Sequence, residues 1–446
     1  MTAIPAEPPF AIRARLLSPL ADGGLLDEPD GLLEVDADGR LSRVARWVEA
    51  DAPASVLDVR PLVLMPGMVD LHAHLPQIPN AGLGSGLDLL TWLDRYIYPL
   101  ERAYDRSVAE RQAPAAFRSF AAAGTTTVVA YAALWPDSTD AAFAAAEAHG
   151  IRAVIGKVMM DRLSYDTDIH PNEILETSLR QSDELATRWH GADGGRLRYA
   201  FTPRFALSCS AEMLRESASL AARHGAYWQT HLSEDTDEIA EVARLFPEAL
   251  DYLDVYDRAG ALGAQTILAH AIHLSPREVG RLVESDSRVA HCPASNLFLS
   301  SGMMPLGAHR AAGMTIGLGS DVAAGPEVSI FSVMRAGAVT QRALELTGRA
   351  DRSSALRPLD WLRMGTLDGA RVLGMDAEIG SLGVGKEADL IAIDPRLTEP
   401  LPSEGSPATA EEIAGRLVFR PHPDMVRAAW VRGRLLAGPP GMDGIG

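Results

Sequence analysis

The residues with the clearest chemical potential are two histidines that follow an apolar stretch early in the chain. Residues 63–69 indicate a buried strand, and His72 and His74 come directly after it. Side chains two residues apart on a strand point to the same side, so both imidazoles face one direction. Paired imidazoles at the end of a strand suit a zinc-type ion, although the H-x-H pattern alone fits two unrelated polar histidines equally well.

Three further apolar segments end in side chains of the same chemical kind, namely His231, His270 and Asp321. If these segments are strands of one barrel, their C-terminal ends meet on one face, where chemistry gathers. Three histidines and one aspartate can then surround one zinc ion and leave a position open for water. The predicted ligands are His72, His74, His231 and Asp321, and His270 is expected near the water.

Glu234 is the residue predicted to move protons. It lies three residues after His231, where a carboxyl group can serve as general acid and base beside the water. The alternative is a solvated loop carboxylate, because Asp235, Asp237 and Glu238 follow closely. We favour the catalytic role.

Other candidate residues near predicted strand ends are given structural roles. Cys292 could bind a metal, but we predict that it packs in the core, and we also interpret His291 as structural. Lys157 lies near the end of the third predicted strand and could be carbamylated to bridge two ions. We predict a single ion instead.

These side chains need a scaffold that aligns several strand ends, and the middle of the chain predicts one. Apolar runs alternate with helix-like stretches, which is the pattern of βα units around a parallel sheet. The eight runs are Leu64–His72, Thr125–Tyr131, Ala153–Met159, Leu197–Thr202, Tyr227–His231, Thr266–His270, Arg288–Cys292 and Thr315–Gly319. The clearest helical segments are Val108–Ala123, Ser138–His149, Ala211–His224 and Glu278–Glu284. We therefore predict an α/β fold with a (β/α)8 barrel; a doubly wound sheet is the alternative, although no G-x-G-x-x-G motif opens a helix.

Short β-like runs separated by turn residues occur at both ends of the chain. They are Ala11–Leu17, Leu32–Val35, Leu41–Val44, Val56–Val59, Asp389–Ile393 and Val426–Leu436. We predict that both ends together build one small β domain beside the barrel. The predicted division is residues 1–62 and 385–446 for this domain and residues 63–384 for the barrel, with a frayed tail at 438–446.

Composition excludes several classes of function. The 446 residues carry a formal net charge of −18, with a sequence pI near 5.1, which argues against binding nucleic acid or anionic lipid through phosphates. The two cysteines cannot form a disulfide framework, and no apolar run approaches the ~20 residues that span a membrane. Without a signal-peptide pattern at the N-terminus, we expect a cytoplasmic protein.

Several segments also follow the pattern of a known family. They are PGMVDLHAHLPQ, LLTWLDRYIYPLE, AGTTTVV, GKVMMDR, TPRFALSCS, THLSED, LDVYDRAG, LAHAIHL, AHCPASNLFLSSG and GLGSDVAAG. In order and spacing they resemble guanine deaminases of the amidohydrolase superfamily, over residues 60–395. GKVMMDR, TPRF and the PQ after the second histidine are particular to guanine deaminases, whereas the H-x-H is shared widely by amidohydrolases.

The resemblance implies hydrolysis of guanine to xanthine and ammonia with one zinc ion, in a homodimer. It implies the same metal ligands, His72, His74, His231 and Asp321. It implies catalytic roles for Glu234, His270 and Asp321, which would take a proton from the water. It implies that the purine contacts Gln77, Arg204, Phe205 and Trp92. The departures from the family are Ser320, Ala271, Pro326 and Glu327.

Two other functions remain open from the sequence. The same machinery would serve another amino-azine, such as a pterin, 8-oxoguanine or an aminotriazine. Arg204 and an amide donor from Gln77 favour a ring that bears a carbonyl. A catalytically inactive barrel used as a binding module is the other alternative, but such a module would not need every predicted ligand.

Overall fold

The computed structural model describes residues 4–166, 169–401 and 408–436. The strands of these residues are β1 Phe10–Pro19, β2 Leu25–Val35, β3 Leu41–Arg46, β4 Leu57–Pro66, β5 Met68–His74, β6 Thr125–Tyr131, β7 Arg152–Gly156, β8 Val158–Met159, β9 Leu197–Pro203, β10 Tyr227–Leu232, β11 Thr266–His270, β12 Arg288–His291, β13 Ile316–Leu318, β14 Leu390–Ile393, β15 Val426–Val431 and β16 Arg434–Leu435. The predicted tail at 438–446 lies outside the described residues.

The α-helices of the described residues are α1 Leu89–Trp92, α2 Tyr98–Ala103, α3 Arg106–Ala122, α4 Pro136–His149, α5 Ile174–Trp189, α6 Ala192–Gly195, α7 Ala211–His224, α8 Thr236–Leu245, α9 Tyr252–Arg258, α10 Pro276–Ser285, α11 Pro293–Phe298, α12 Leu306–Ala311, α13 Ile330–Leu346, α14 Pro358–Arg363, α15 Gly369–Val372 and α16 Ala410–Phe419. Short 3-10 or π segments occupy Glu49–Asp51, Leu75–Asn80, Leu93–Ile97, Pro171–Glu173, Ala206–Ser208, Arg352–Ser354, Met364–Asp368 and Pro395–Thr398.

Parallel strands form a barrel in the order β5-β6-β7-β9-β10-β11-β12-β13, and β8 adds to β9. Two backbone bonds join β5 to the segment that follows β13: Asp321 N–H donates to the carbonyl of His72 at 2.7 Å, and His74 N–H donates to that of Val322 at 3.0 Å. Every residue of β5, β6 and β7 is buried, which explains why these strands lack the alternation of apolar and exposed polar residues seen in sheets with one solvated face. The predicted (β/α)8 barrel is confirmed.

One end of the barrel is filled by apolar side chains, which leaves the other end for a site. Ala370 and Val372 of α15 pack in one cluster with Val69, Val129 and other residues of the barrel strands. These strand residues precede the strand ends that carry the candidate ligands. The C-terminal ends of the strands are therefore left for a site, at the end of the barrel where the chemistry was predicted.

A seven-stranded sheet lies beside the barrel, in the order β16-β15-β14-β4-β1-β2-β3. Strands from both chain ends pair within it, since β14 is antiparallel to β4 and β1 is parallel to β4. The predicted composite sheet is thus confirmed. The division of the chain at residues 62/63 and 384/385 stays a prediction.

Three stretches that were each predicted as one continuous strand are interrupted in the structure. Leu64–His72 is wrong as one strand, because β4 ends in the small sheet at Pro66 and β5 begins in the barrel at Met68. Gly67 permits this passage, since a Cβ there would lie 2.0 Å from the hydroxyl oxygen of Thr126. The runs Ala153–Met159 and Val426–Leu436 are also each divided into two strands.

Buried ion pairs link the two sheets. The Arg152 guanidinium at the start of β7 pairs with Glu387 and donates to Asp389 at 2.9 Å. Arg432 donates to the same Glu387 carboxylate at 2.9 Å, and Arg152 itself is fully buried. Buried ion pairs therefore connect the barrel to the strands from the C-terminal end. Removal of either partner would leave a buried charge without compensation.

Candidate active site

The predicted metal ligands all lie at the C-terminal ends of barrel strands. His72 and His74 end β5, His231 lies on β10, and Asp321 follows β13. His270 ends β11 with a φ of 69°, and Asp321 has a φ of 49°. Residues other than glycine rarely adopt this left-handed conformation, and it recurs at functional sites where the surrounding fold holds the backbone in place.

The ligand-type atoms are close enough to share one cation. The Nε2 atoms of His72 and His74 lie 3.2 Å apart, and Asp321 Oδ1 lies 3.3 and 3.4 Å from them. His231 belongs to an overlapping group with His72 and His270, in which all ligand atoms lie within 4.8 Å of one another. The structure thus brings all four predicted ligands together, with His270 as an additional nitrogen beside them.

The protonation of this cluster suits a metal. Burial lowers the pKa of His72, His74 and His231, and mutual repulsion adds to the effect at the latter two, so the imidazoles are neutral. His231 Nδ1 lies 2.6 Å from the Arg204 carbonyl, which places a proton on Nδ1 and leaves Nε2 free. Neutral imidazole nitrogens with one carboxylate form a ligand set that zinc accepts, so these residues fit the ion.

Asp70, which sequence reasoning did not assign to the site, fixes the strands that carry the ligands. Its Oδ1 accepts the backbone N–H of His72 at 3.2 Å and that of Ser320 at 2.9 Å. Burial raises the pKa of this carboxyl to about 6. One side chain thereby connects the backbone beside the β5 histidines to the backbone beside Asp321.

Glu234 is buried and faces the cluster rather than solvent. Burial, followed by the charge of Asp321, raises the pKa of Glu234 well above the ordinary value. Burial also acts to raise the pKa of Asp321, but the neighbouring histidines outweigh burial and lower it. Of the two carboxyl groups, Glu234 therefore holds the proton. The alternative of a solvated loop carboxylate does not fit, since Glu234 is 3% exposed and accepts from Ser301 Oγ at 3.3 Å.

His270 lies between the two carboxyl groups. Its Nε2 is 3.4 Å from Glu234 Oε2 and 3.8 Å from Asp321 Oδ2. Its Nδ1 lies 2.9 Å from the side-chain oxygen of Asn296, which fixes the proton on Nδ1. Asn296 lies in the quoted HCPASN motif, but its role as an orienting group was not predicted.

A cavity opens onto this cluster, and all four predicted substrate-binding residues line it. It is bounded by His74, Gln77, Leu89, Trp92, Leu93, Arg204, Phe205, His231, Glu234, His270, Leu299, Asp321 and Ala324. The Trp92 indole N–H donates a hydrogen bond to the Leu83 carbonyl at 3.1 Å, so Trp92 offers only its apolar ring to a ligand. Apolar walls with a few polar groups are typical of a small-molecule site.

One detail of the predicted pocket needs correction, and one contact of the pocket was missed. The Gln77 amide nitrogen does not point into the cavity as a donor, because it donates to Glu101 Oε1 at 2.8 Å. Arg204 lines the cavity, and its guanidinium forms a buried ion pair with Glu101. Glu101 was missed because it lies 103 residues from Arg204 in sequence. Only the quoted segment LLTWLDRYIYPLE contained a signal for it.

The residues predicted to be structural lie outside the cavity. Lys157 Nζ donates to Ser178 Oγ on α5 at 2.9 Å, so it faces a helix rather than the cluster. His291 and Cys292 are fully buried, and neither belongs to a metal-type cluster of the described residues. Of the departures from the family pattern, Pro326 and Glu327 are exposed and therefore do not alter the cavity wall.

The comparison with known protein families agrees with this geometry. The model of the amidohydrolase family matches residues 63–436. The chain belongs to the amidohydrolase family. Among the described residues of this amidohydrolase, no helix is long and apolar enough to cross a membrane.

Several amidohydrolases that are similar to this chain are described as guanine deaminases. A probable guanine deaminase of Deinococcus radiodurans is 37% identical, over 91% of this chain and 92% of the relative. The structure of the E. coli guanine deaminase has a TM-score of 0.87 and 31% identity, over 96% of this chain and 100% of that one. A guanine deaminase from C. acetobutylicum with guanine in its active site has a TM-score of 0.88 and 28% identity, over 96% and 99%. The resemblance to guanine deaminases is confirmed.

Proposed function

We propose that this amidohydrolase hydrolyses guanine to xanthine and ammonia. The observation that carries the proposal is a buried Glu234, whose pKa is raised, in one cavity with the neutral imidazoles and the Asp321 carboxylate. The relatives named guanine deaminase match over most of both chains, and one of their structures holds guanine in the active site. Both observations point to the same purine chemistry.

We propose further that His72, His74, His231 and Asp321 hold a single zinc ion. The distances of 3.2–3.4 Å among the first two histidines and Asp321 support this assignment. A zinc ion supplies a water nucleophile at neutral pH. Lys157, the residue that could bridge a second ion, hydrogen-bonds Ser178 instead.

The side chains can carry the protons of the reaction in balance. Glu234 gives its proton to the ring nitrogen next to the amino-bearing carbon, while Asp321 takes one proton from the attacking water. His270 stabilises the tetrahedral species through a hydrogen bond. The Asp321 proton then leaves with the amine as ammonia, and the remaining hydroxyl proton returns to Glu234 as the new carbonyl forms.

The pocket suits a planar aromatic ring, because Phe205, Trp92 and three leucines line the same cavity as Glu234. A different amino-azine remains the second candidate, since only the pocket would distinguish it. We also propose a homodimer on the basis of the resemblance alone. Size-exclusion chromatography with light scattering would test that assignment.

The proposal is tested by supplying guanine to protein with a measured metal content and following xanthine and ammonia together. Equal amounts of both products are expected, with about one zinc per chain. A chelator should abolish turnover, and added zinc should restore it. No conversion of guanine by the zinc-replete protein would refute the proposed activity, and two ions per chain would refute the mononuclear site.

A further inference from the structure

Glu101 is a buried carboxylate that the proposed reaction does not use. It lies on α2 with 0% of its surface exposed. Its Oε1 accepts from the Gln77 amide nitrogen at 2.8 Å, and its Oε2 is paired with the Arg204 guanidinium. Both partners line the cavity, so one carboxylate holds two polar groups of the pocket.

The first consequence concerns which end of the Gln77 amide is available to a ligand. An ionised carboxylate can only accept hydrogen bonds, so the NH2 group must face Glu101. The other end, Gln77 Oε1, is buried and has no hydrogen-bond partner among the described residues. Because Gln77 lines the cavity, it presents an acceptor to a ring N–H there.

The second consequence concerns the charge of Arg204. This guanidinium is 3% exposed and lies against the Tyr98 ring, with its Cζ 5.4 Å from the ring centroid. Burial would lower the pKa of Arg204, but the charge of Glu101 more than offsets burial and raises it. The cation is therefore kept, while the net charge of the pair is zero. A buried cation without this partner would attract anionic ligands strongly.

We propose that Glu101 is a positioning residue that makes the pocket select a neutral ring carrying both an N–H and a carbonyl. It does so by turning the Gln77 oxygen toward the ring and by cancelling the Arg204 charge. The inference rests on the proposed deamination of guanine. Xanthine, the product of that reaction, loses a ring proton more readily than guanine. Glu101 thereby limits retention of the product as its anion.

The decisive variant is Glu101→Gln, which keeps the size of the side chain but removes the charge. The Gln77 amide is then free to rotate, and Arg204 is left with an uncompensated charge. We expect the KM for guanine to rise and competitive inhibition by xanthine to become about tenfold stronger, equivalent to about 1.4 kcal/mol. The gain in xanthine affinity should increase from neutral to mildly alkaline pH, because more of the product is then anionic.

Two control variants separate charge and position from general loss of stability. Glu101→Asp keeps the charge but shortens the reach, so xanthine inhibition should stay close to that of the parent while the KM for guanine rises. Glu387→Gln removes another buried carboxylate, which pairs with Arg152 far from the cavity. It should lower thermal stability and leave both the KM and xanthine inhibition unchanged.

The outcomes distinguish this inference from the proposed function. Failure of the parent protein to convert guanine would overturn the activity itself. With an active parent, xanthine inhibition that is unchanged or weaker in folded Glu101→Gln would overturn the role of Glu101. If Glu101→Gln does not fold, Glu101→Asp decides: an unchanged KM for guanine would overturn the positioning role.

Discussion

At the scale of single residues, the site depends on two carboxyl groups in different protonation states. Glu234 and Asp321 share a buried cavity, and His270 lies 3.4 and 3.8 Å from their oxygens. Burial and the Asp321 charge raise the pKa of Glu234, so it is the group able to donate a proton to a ring nitrogen. Carboxyl groups whose pKa values are pushed apart in this way are typical of acid–base pairs.

The variant Glu234→Gln tests that assignment. Glutamine keeps the size and the hydrogen-bonding reach but cannot transfer a proton. Turnover should fall by at least the ~10²–10⁴ that general acid–base steps contribute, while zinc content and purine binding stay near those of the parent. Steady-state kinetics, metal analysis and calorimetry check the three expectations. Turnover within a few fold of the parent would remove Glu234 from the mechanism.

Lys157 gives a prediction about stability against pH. Burial lowers its pKa to about 7 from the ordinary 10.5, although the Asp166 charge opposes the shift. Between these two values the unfolded chain binds more protons than the folded one, so the free energy of unfolding rises with pH across this window. Lys157→Met should flatten that rise, by an amount on the order of a few kcal/mol. Denaturant titrations near pH 7 and pH 10 measure the slope, and an unchanged slope in the variant would contradict the shift.

At the scale of elements, the start of α8 fixes the loop that carries Glu234 and Asp235, between β10 and α8. Glu238 in its first turn accepts the backbone N–H of Glu234 at 3.0 Å and that of Asp235 at 3.2 Å. The Tyr252 hydroxyl donates to the same carboxyl group at 2.7 Å. The Glu238 carboxyl group therefore caps the helix and also binds the backbone of the preceding loop. This contact fixes the position of the Glu234 backbone, from which the catalytic side chain extends.

Glu238→Ala should therefore lower both stability and turnover. Unpaired buried backbone donors cost about 1–3 kcal/mol, and the released loop should reduce kcat more than it changes zinc content. The matched control is Glu278→Ala, because Glu278 forms the equivalent capping box with Ser275 at the start of α10. The control should lose similar thermal stability and retain kcat. Equal losses of kcat in both variants would show that α8 has no special role.

Strand ends were predictable at this scale, and contacts between distant elements were not. His231 and His270 could be found because each ends an apolar run, and barrel strands align such ends on one face. Helix α7 agrees with its predicted bounds, since Ser210 caps its start and Gly225 follows its end with a φ of 61°. The pairing of Glu101 with Arg204 has no local signal, so the sequence indicated neither the buried ion pair nor the orientation of Gln77.

The same missed contact changes how variants of the pocket should be chosen. Arg204→Ala removes the guanidinium but leaves the Glu101 carboxylate buried and unpaired. Removing one partner of a buried ion pair typically costs about 3–5 kcal/mol. Loss of activity in that variant would therefore mix loss of stability with loss of substrate binding, whereas Glu101→Asp keeps both charges of the pair and reports on position.

At the scale of the whole molecule, the sheet built from the two chain ends is connected to the barrel by the backbone and by buried ion pairs. Strand β4 of the small sheet leads through Gly67 directly into β5, which carries two predicted metal ligands. The buried Arg152 pairs join β7 to Glu387 and Asp389 near β14. The sequence indicated that the ends would pair but not that a single residue, Gly67, separates the small sheet from the barrel strand that carries His72 and His74.

Recognition of guanine by this cavity is tested most directly by measuring kcat/KM for a panel of amino-azines. The rate of ammonia release gives this value for each compound. The panel contains guanine, 8-oxoguanine, adenine, a pterin and an aminotriazine, each with the same zinc-replete protein. Arg204 should pair with a ring carbonyl, and a ring without one leaves a buried donor unpaired at a cost of about 1–3 kcal/mol. Guanine is expected to have the highest kcat/KM in the panel. A pterin or a triazine that exceeds guanine by about tenfold or more would contradict that expectation.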